Sequence, residues 1–575
     1  QTLEYETERP NSLYDPSGSF QSINRRYDIV YGDVMLNFNY NIRRFDIAAT
    51  LSWTGRYENM NNMRVSTNGG LVTENWFDLN ASRYTASSTL QRMELLKTGY
   101  MGTLSLGWDN YLFLELTGRQ ERSSTLKDKS FFYPSANLSF LFSNAFRMPA
   151  WWNHGKLRLS YGIVGNAPET YAANIIYEQG SDNGFTWNYV PSSWGNANIR
   201  PEKKYEYEIG LESKFLNNRL GFDVSYYNNR VKDQILSTPQ PSSSGVKYVL
   251  MNVGEVANEG WDISVSATPI LTKNFRWDLT ANYGIYRNKV VKLAEGVPYL
   301  EISNIGGGGA KIQAVEGRPM GDIYVQMPQM NENGDYLVSD KGLYLNQTDL
   351  QRVGNINPDG VGGLFSSFSY KNIFLDFSID FRIGGDVINE MYQYSTASGL
   401  TPESLQYRDT EHGGLSYYYP GNNNASGTPV QVDPSSGAGP NGEIIYHDGI
   451  ILPGVVASTG EKNTRIIPAG YYYNQTYNWG TQSEQLTYRH SVFDNTYVKL
   501  RELTIGYQFP EKLTAKLGMT RLSVSIFGRN LFYFYKALKN YDAESSVGTS
   551  WASQAVVGGS TTATRNFGVS LRASF

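Results

Sequence analysis

The chain has 575 residues, too many for one ordinary compact core, so several domains or one large closed architecture are expected. It contains no Cys and has a formal net charge of -4, which excludes disulfides and thiolate chemistry and leaves no nucleic-acid footprint. Mean hydropathy is -0.43 and no apolar run reaches the length of a helical span, so helical membrane crossings are excluded. A membrane barrel is not, because each of its strands is only half apolar. The four histidines, His154, His412, His447 and His490, lie too far apart for metal-ligand spacing. No signal peptide stands at Gln1, so any secretory signal is expected to have been removed or to lie outside the chain.

In chain order, the first clear strand runs over 34–40, where Val34, Leu36, Phe38 and Tyr40 alternate with Met35, Asn37 and Asn39. After the turn "NIRR", Phe45, Ile47, Ala49, Leu51 and Trp53 continue the period of two. Tyr205, Tyr207, Ile209 and Leu211 answer Leu220, Phe222, Val224 and Tyr226 across "FLNNR", and Trp261 to Ala267 answer Phe275 to Tyr283. "FSYKNIFLDFSIDFRIGG" reads as a hairpin about Lys371 and Asn372, and two further strands flank Pro510 to Gly518. Short connections near 41–44, 109–110, 144–155, 216–219, 269–274, 371–373 and 510–518 alternate with long ones near 54–97, 123–131, 164–203, 230–259, 291–361, 385–494 and 531–563. Short turns on one side and long loops on the other are the pattern of an outer-membrane barrel with periplasmic turns and extracellular loops.

The chain ends "RNFGVSLRASF", with Phe567, Val569, Leu571, Ala573 and Phe575 alternating against small or polar residues. Such a terminal strand suits barrel closure and recognition by the insertion machinery, and Phe567, Val569, Leu571 and Phe575 are the residues expected to serve it. The fold class is thus all-β, a transmembrane antiparallel β-barrel. Counting gives about fifteen strands, the first and last with the same polarity, and an odd number cannot close an antiparallel bacterial barrel. A plugged barrel of about 22 strands would place residues 1–33 in an extracellular loop. Residues 34–575 would then be the C-terminal part of a receptor barrel whose plug and first strands are absent from this chain.

Several stretches resemble the SusC/RagA family of TonB-dependent outer-membrane transporters. "TYVKLRELTIGYQFPEKLTAKLGMTRLSVSIFGRNLFYFYKALKNYDAES" (496–545) is similar to the family's C-terminal signature, and "NVGEVANEGWDISV" (252–265) to its mid-barrel signature. "FFYPSANLSF", "KLRLSYGIVGN", "VEGRPMGDIYV", "GNINPDGVGGLFSSFSYKN" and "RIGGDV" follow in family order. "NYDAES" departs from the family, which has Pro after the Asp; this bears on loop geometry alone. The resemblance implies a multi-pass barrel in the outer membrane of a Gram-negative bacterium, embedded in outer-membrane lipid and partnered by a SusD-like surface lipoprotein acting as a hinged lid. It implies an oligosaccharide or oligopeptide substrate, and TonB acting through a plug not present in these residues. Many relatives form a dimer of transporter–lipoprotein pairs. No cofactor is implied.

Candidate contacts to substrate or lid are the loop aromatics Trp187, Tyr189 and Trp194, then Tyr417, Tyr418 and Tyr419, then Tyr471, Tyr472, Tyr473 and Trp479. Flat faces can stack on sugar rings or peptide side chains while neighbouring Asn, Asp and Arg bond the polar edges. The alternative is that they pack the loops together or form the interfacial girdle. The 385–494 loop is the one expected to meet the lid. Asn331, Asn333 and Asp335 open like a calcium loop, but the Gly comes too early and no bidentate Glu follows, so a polar hairpin with an Asn-Gly turn accounts for them better. "GGGGA" at 306–310 reads as a flexible loop rather than an anion nest. Glu411, Glu443 and Asp448 have nothing to set the separation a glycosidase pair needs, and no enzyme is expected. A TonB-independent porin or surface receptor is the competing reading.

Overall fold

The computed structural model describes residues 2–9, 17–127, 130–182, 185–478, 487–559 and 563–575. Sixteen strands follow one another in an antiparallel sheet: β1 Thr2–Glu8, β2 Ser19–Ile42, β3 Phe45–Leu71, β4 Ser82–Trp108, β5 Leu112–Ser123, β6 Ser130–Phe140, β7 Trp152–Asn166 and β8 Glu202–Phe215. The order continues with β9 Leu220–Lys232, β10 Glu255–Leu271, β11 Phe275–Lys292, β12 Gly360–Tyr370, β13 Ile373–Ile383, β14 Tyr497–Gln508, β15 Arg521–Lys536 and β16 Asn566–Ser574. The hairpins read from sequence are present with their turns. Val34 faces Trp53 and Leu36 faces Leu51 about Arg43 and Arg44; Tyr370 faces Ile373 about Lys371 and Asn372. Arg43 and Lys371 both sit at positive φ (55° and 53°), as the first position of a tight hairpin turn demands.

Two stretches hold more strand than the sequence suggests. Among the described residues of 1–33 lie β1 and the first half of β2, paired from Thr2↔Arg25 to Glu8↔Ser19. The count rises from about fifteen to sixteen, and the parity argument built on an odd number loses its premise. The long connection expected over 54–97 is also mostly strand. β3 and β4 remain paired through Ser66↔Ser87 and, after shifts in register, to Leu71↔Ser82. In β3 the cause is that beyond Trp53 polar residues such as Glu58, Asn59, Asn61 and Asn62 replace the apolar alternation while the backbone ladder continues.

The apolar face shows which medium it meets. Val34 is 66%, Leu36 72% and Leu51 65% exposed. Exposed apolar side chains alternating across a band of each strand are what a lipid-facing sheet requires. β16 pairs with β15, Val569 opposite Ile526 and Leu571 opposite Val524, and its outer residues Phe567, Val569, Leu571 and Phe575 are strongly exposed. Among the described residues no ladder joins β16 to β1.

The chain divides into two compact units, Gln1–Pro149 with His154–Leu211 and Tyr227–Ala257, and Ala150–Asn153 with Glu212–Tyr226 and Asn258–Phe575. In the first, polar strand faces carry side-chain networks such as Arg119 with Glu121 (2.9 Å) and Tyr133 with Glu121 (2.8 Å). In the second, the long connections fold on themselves. Strands Tyr299–Ile305, Ala310–Val315, Asp322–Val325 and Gln351–Asn355 form a four-stranded sheet. Its core residues Ile312, Ile323 and Val325 pack with Ile388, Tyr488 and Val556. The "GGGGA" run belongs to this core: the Cβ that Gly306 lacks would collide with the Tyr488 ring, and Gly306 takes φ 60°. The run is a turn packed at its two ends, Gly306 and Ala310.

Candidate functional site

The signature stretches at the root of the 385–494 loop explain how that loop is held. In "RIGGDV", Gly384 and Gly385 take φ of 69° and 80°, turning the chain out of β13. Arg382 caps the turn by donating to the carbonyls of Gly384 (3.2 Å) and Ile356 (3.0 Å). Asp386 accepts the backbone N–H of Asn355 (2.9 Å), and burial pushes its carboxyl above the ordinary range. Asp322, from "VEGRPMGDIYV", is fully buried; it accepts from Arg318 (2.6 Å), Arg352 (2.9 Å) and Asn355 (2.9 Å). A buried carboxylate needs this many donors.

The C-terminal signature is one charged network. Arg501 grips Glu544 with both terminal nitrogens (2.9 and 2.5 Å) and gives its Nε to Asp380 (2.6 Å). Lys499 also reaches Glu544 (2.5 Å), and Arg529 reaches Glu502 (3.0 Å). Strand alternation would send Arg501 and Glu502 to opposite faces. A β-bulge at Arg501 in both ladders of β14 puts them on the same polar face. "NYDAES" closes the network: Asp542 accepts from Tyr533 (2.5 Å) and Glu544 receives the Arg fork.

On this base two short helices, α1 Glu390–Ala397 and α2 Ala469–Tyr477, pack together. Asn389 caps α1 by accepting the Tyr392 N–H (2.9 Å). Helices of two turns are not stable alone; buried contacts hold them. Gln393, fully buried, donates to the Thr487 carbonyl (2.9 Å) and accepts from Ser491, and Tyr473 and Tyr477 turn the same face inward at i and i+4.

Between these helices and the strand Ile445–Ile450 lies a cavity of about 620 Å³. Six tyrosines line it: Tyr344, Tyr392, Tyr407, Tyr472, Tyr473 and Tyr477. Ile450, Leu452 and Pro453 supply an apolar wall, and Glu403, Gln406 and His490 the other polar groups. Tyr472 and Tyr473 meet edge-on at 5.2 Å, and the Tyr473 hydroxyl donates to the Glu403 carbonyl (2.9 Å). Burial raises Tyr473 to about 12 and pushes Tyr472 and Tyr477 further up, with neighbouring tyrosines adding to the effect. All three therefore present neutral hydroxyls. His490 is pushed down, by desolvation and then by the charge of Arg489.

The aromatic candidates separate into three groups. Tyr471, Tyr472 and Tyr473 belong with the cavity: Tyr472 and Tyr473 line it, and Tyr471 packs with Leu343, Ile450 and Ile467 alongside. Tyr417 and Tyr419 are buried in a knot with Tyr446 and Ile466, and the Tyr417 hydroxyl donates to Asp448 (3.0 Å). Tyr417 and Tyr419 thus pack within the loop, and Tyr418 beside them is half-buried. Trp187 and Tyr189 are exposed on a hairpin of the first unit, and Trp194 packs edge-on against Tyr177 at 5.6 Å. Trp479 lies outside the described residues. Asn331 accepts the backbone N–H groups of Asn333 (3.0 Å) and Asp335 (2.9 Å) and donates to the Asp335 carboxylate (3.2 Å), a self-contained polar turn. Glu443 is buried and holds the backbone N–H of Asn441 (2.8 Å), a structural carboxylate. Sequence reasoning missed Tyr344, Tyr392, Tyr407, Tyr477, Glu403 and His490. Only Tyr477 carried a local signal, its four-residue spacing from Tyr473.

Comparison with known proteins follows the same lines. The family "TonB dependent receptor-like, beta-barrel" matches residues 1–323, more than half of the chain. This chain belongs to that family. TonB-dependent receptor P3 of Formosa agariphila is 23% identical over 483 residues, covering 78% of this chain and 42% of the relative. TonB-dependent receptor SusC of Bacteroides thetaiotaomicron is 27% identical over 247 residues, covering 39% of this chain and 24% of SusC. A solved structure of the RagAB peptide transporter superposes with a TM-score of 0.71 at 17% identity, covering 100% of this chain and 58% of that one; the two share a fold. The chain thus spans under half the length of these curated relatives.

Proposed function

We propose that the chain acts within a SusC-type, TonB-dependent importer in the outer membrane of a Gram-negative bacterium, taking up oligosaccharides or oligopeptides beneath a SusD-like lipoprotein lid. The observation that carries this reading is the family match over residues 1–323. The tyrosine cavity, built by residues of the 385–494 loop together with Tyr344, supports it, since a capture surface needs preformed concave sites. The lipid-facing alternation of the strands supports the membrane assignment. TonB supplies the energy through a plug domain, and a dimer of transporter–lipoprotein pairs is the expected assembly.

The test is extraction of the tagged protein from native outer membrane, identification of what co-purifies, and substrate uptake with and without TonB. A lipoprotein partner and TonB-dependent uptake are expected. Uptake unchanged by loss of TonB would move the porin reading to the front. Replacing the exposed stretch 424–440 with a short Gly-Ser linker should reduce lipoprotein co-purification without changing heat-modifiable migration. Unchanged co-purification would remove that loop from the lid interface.

A further inference from the structure

The lining of the tyrosine cavity is chemically one-sided. It contains one carboxylate, Glu403, six tyrosines, and no Lys, Arg, Asn, Asp or Trp. Among the described residues no cation pairs with the exposed Glu403 side chain. The cationic neighbours are engaged elsewhere or stand outside the lining. Arg408 donates to the Ser404 carbonyl (2.8 Å) and lies 6.0 Å from the Tyr473 ring, and Arg489 flanks His490 on the chain. His412 is held by Asp409 (2.7 Å). Arg408 shows that a Tyr473 face accepts a guanidinium. The tyrosine rings inside the cavity offer the same negative π-faces.

We propose that this cavity binds the cationic side chain of an oligopeptide, a Lys or Arg, and so selects basic peptides among the substrates of the importer inferred above. The aliphatic stem lies along Ile450, Leu452 and Pro453, as long cationic side chains do on apolar walls. The head group sits among the tyrosine faces and hydroxyls and pairs with Glu403. A neutral sugar gains less here. Besides the tyrosine hydroxyls, the polar side chains of the lining are Glu403, Gln406 and His490, with no Asn, Asp or Arg, and a sugar leaves the Glu403 charge without a counter-charge. An acidic ligand would meet Glu403 and the electron-rich rings.

The experiment measures calorimetric binding of Ala-Lys-Ala to the detergent-purified protein with its co-purifying partners. It is compared with the same peptide acetylated on the lysine amine, with Ala-Glu-Ala and with maltotriose. The lysine peptide is expected to bind, acetylation to weaken it on the order of tenfold, and E403Q to weaken it several-fold while leaving maltotriose unaffected. Equal binding of the acetylated peptide, or preference for Ala-Glu-Ala or maltotriose, overturns the proposal. Should E403Q fail to fold, the acetylation comparison alone decides. Lipoprotein co-purification and TonB-dependent uptake are independent of this outcome, so failure of the basic-peptide reading and failure of the importer reading are distinguishable.

Discussion

The strands of the large sheet and the 385–494 loop treat apolar side chains in opposite ways. On the strands, Leu36 and Leu51 stand out from the surface; in the loop, Tyr417 and Ile467 are almost wholly enclosed. One polypeptide thus obeys two solvents. The strand face needs no protein cover because lipid covers it, while the loop, surrounded by water, must build small cores of its own from tyrosine, isoleucine and leucine.

That contrast is open to mutation. The largest effect is expected in the loop core. Tyr417→Ala removes a buried ring and a hydrogen bond to Asp448, costing about 3–5 kcal/mol, all of it local. Limited proteolysis should cut within 385–494 while heat-modifiable migration of the barrel persists; loss of the barrel band would show that loop and strands unfold together. On the strands, Leu36→Arg should cost about 2–4 kcal/mol by placing a charge on the lipid face. Asn39→Lys, on the opposite face of the same strand, should change stability by about 0.5 kcal/mol or less. Urea unfolding in vesicles measures both, and equal costs would remove the two-solvent reading. Among the disruptive changes, the smallest effect is expected at the network joining the regions of the second unit. Arg501→Ala should cost about 1–2 kcal/mol, since its partners are partly solvated. Arg501→Lys should recover less than half, because an ammonium cannot reproduce the fork on Glu544 while also reaching Asp380. Hydrogen exchange over 537–559 reports the loosening.

Legibility tracked the range of the interaction involved. The hairpins about Arg43, Leu216 to Arg219 and Lys371 were readable because turn residues and a period of two are local. The strand segments beyond the apolar band were not, as in β3 beyond Trp53, where the ladder no longer depends on which side chains it carries. In the site, Tyr471 to Tyr473 were visible as a cluster. Their partners Tyr344, Tyr392 and Tyr407 arrive from distant parts of the chain, and nothing near any of them signals the meeting.

By itself the sequence determined the all-β class, the polarity of short turns and long connections, and the family signatures, because period, turn chemistry and motif are written in neighbouring residues. The tertiary structure alone decided that the signatures form charged networks about Asp322 and Arg501, that Tyr417 and Tyr419 are buried within the loop, and that six tyrosines and Glu403 line one cavity. Each of those outcomes includes contacts between residues some tens of positions apart, such as Arg352 with Asp322 and Arg501 with Glu544, which only the folded backbone brings within reach.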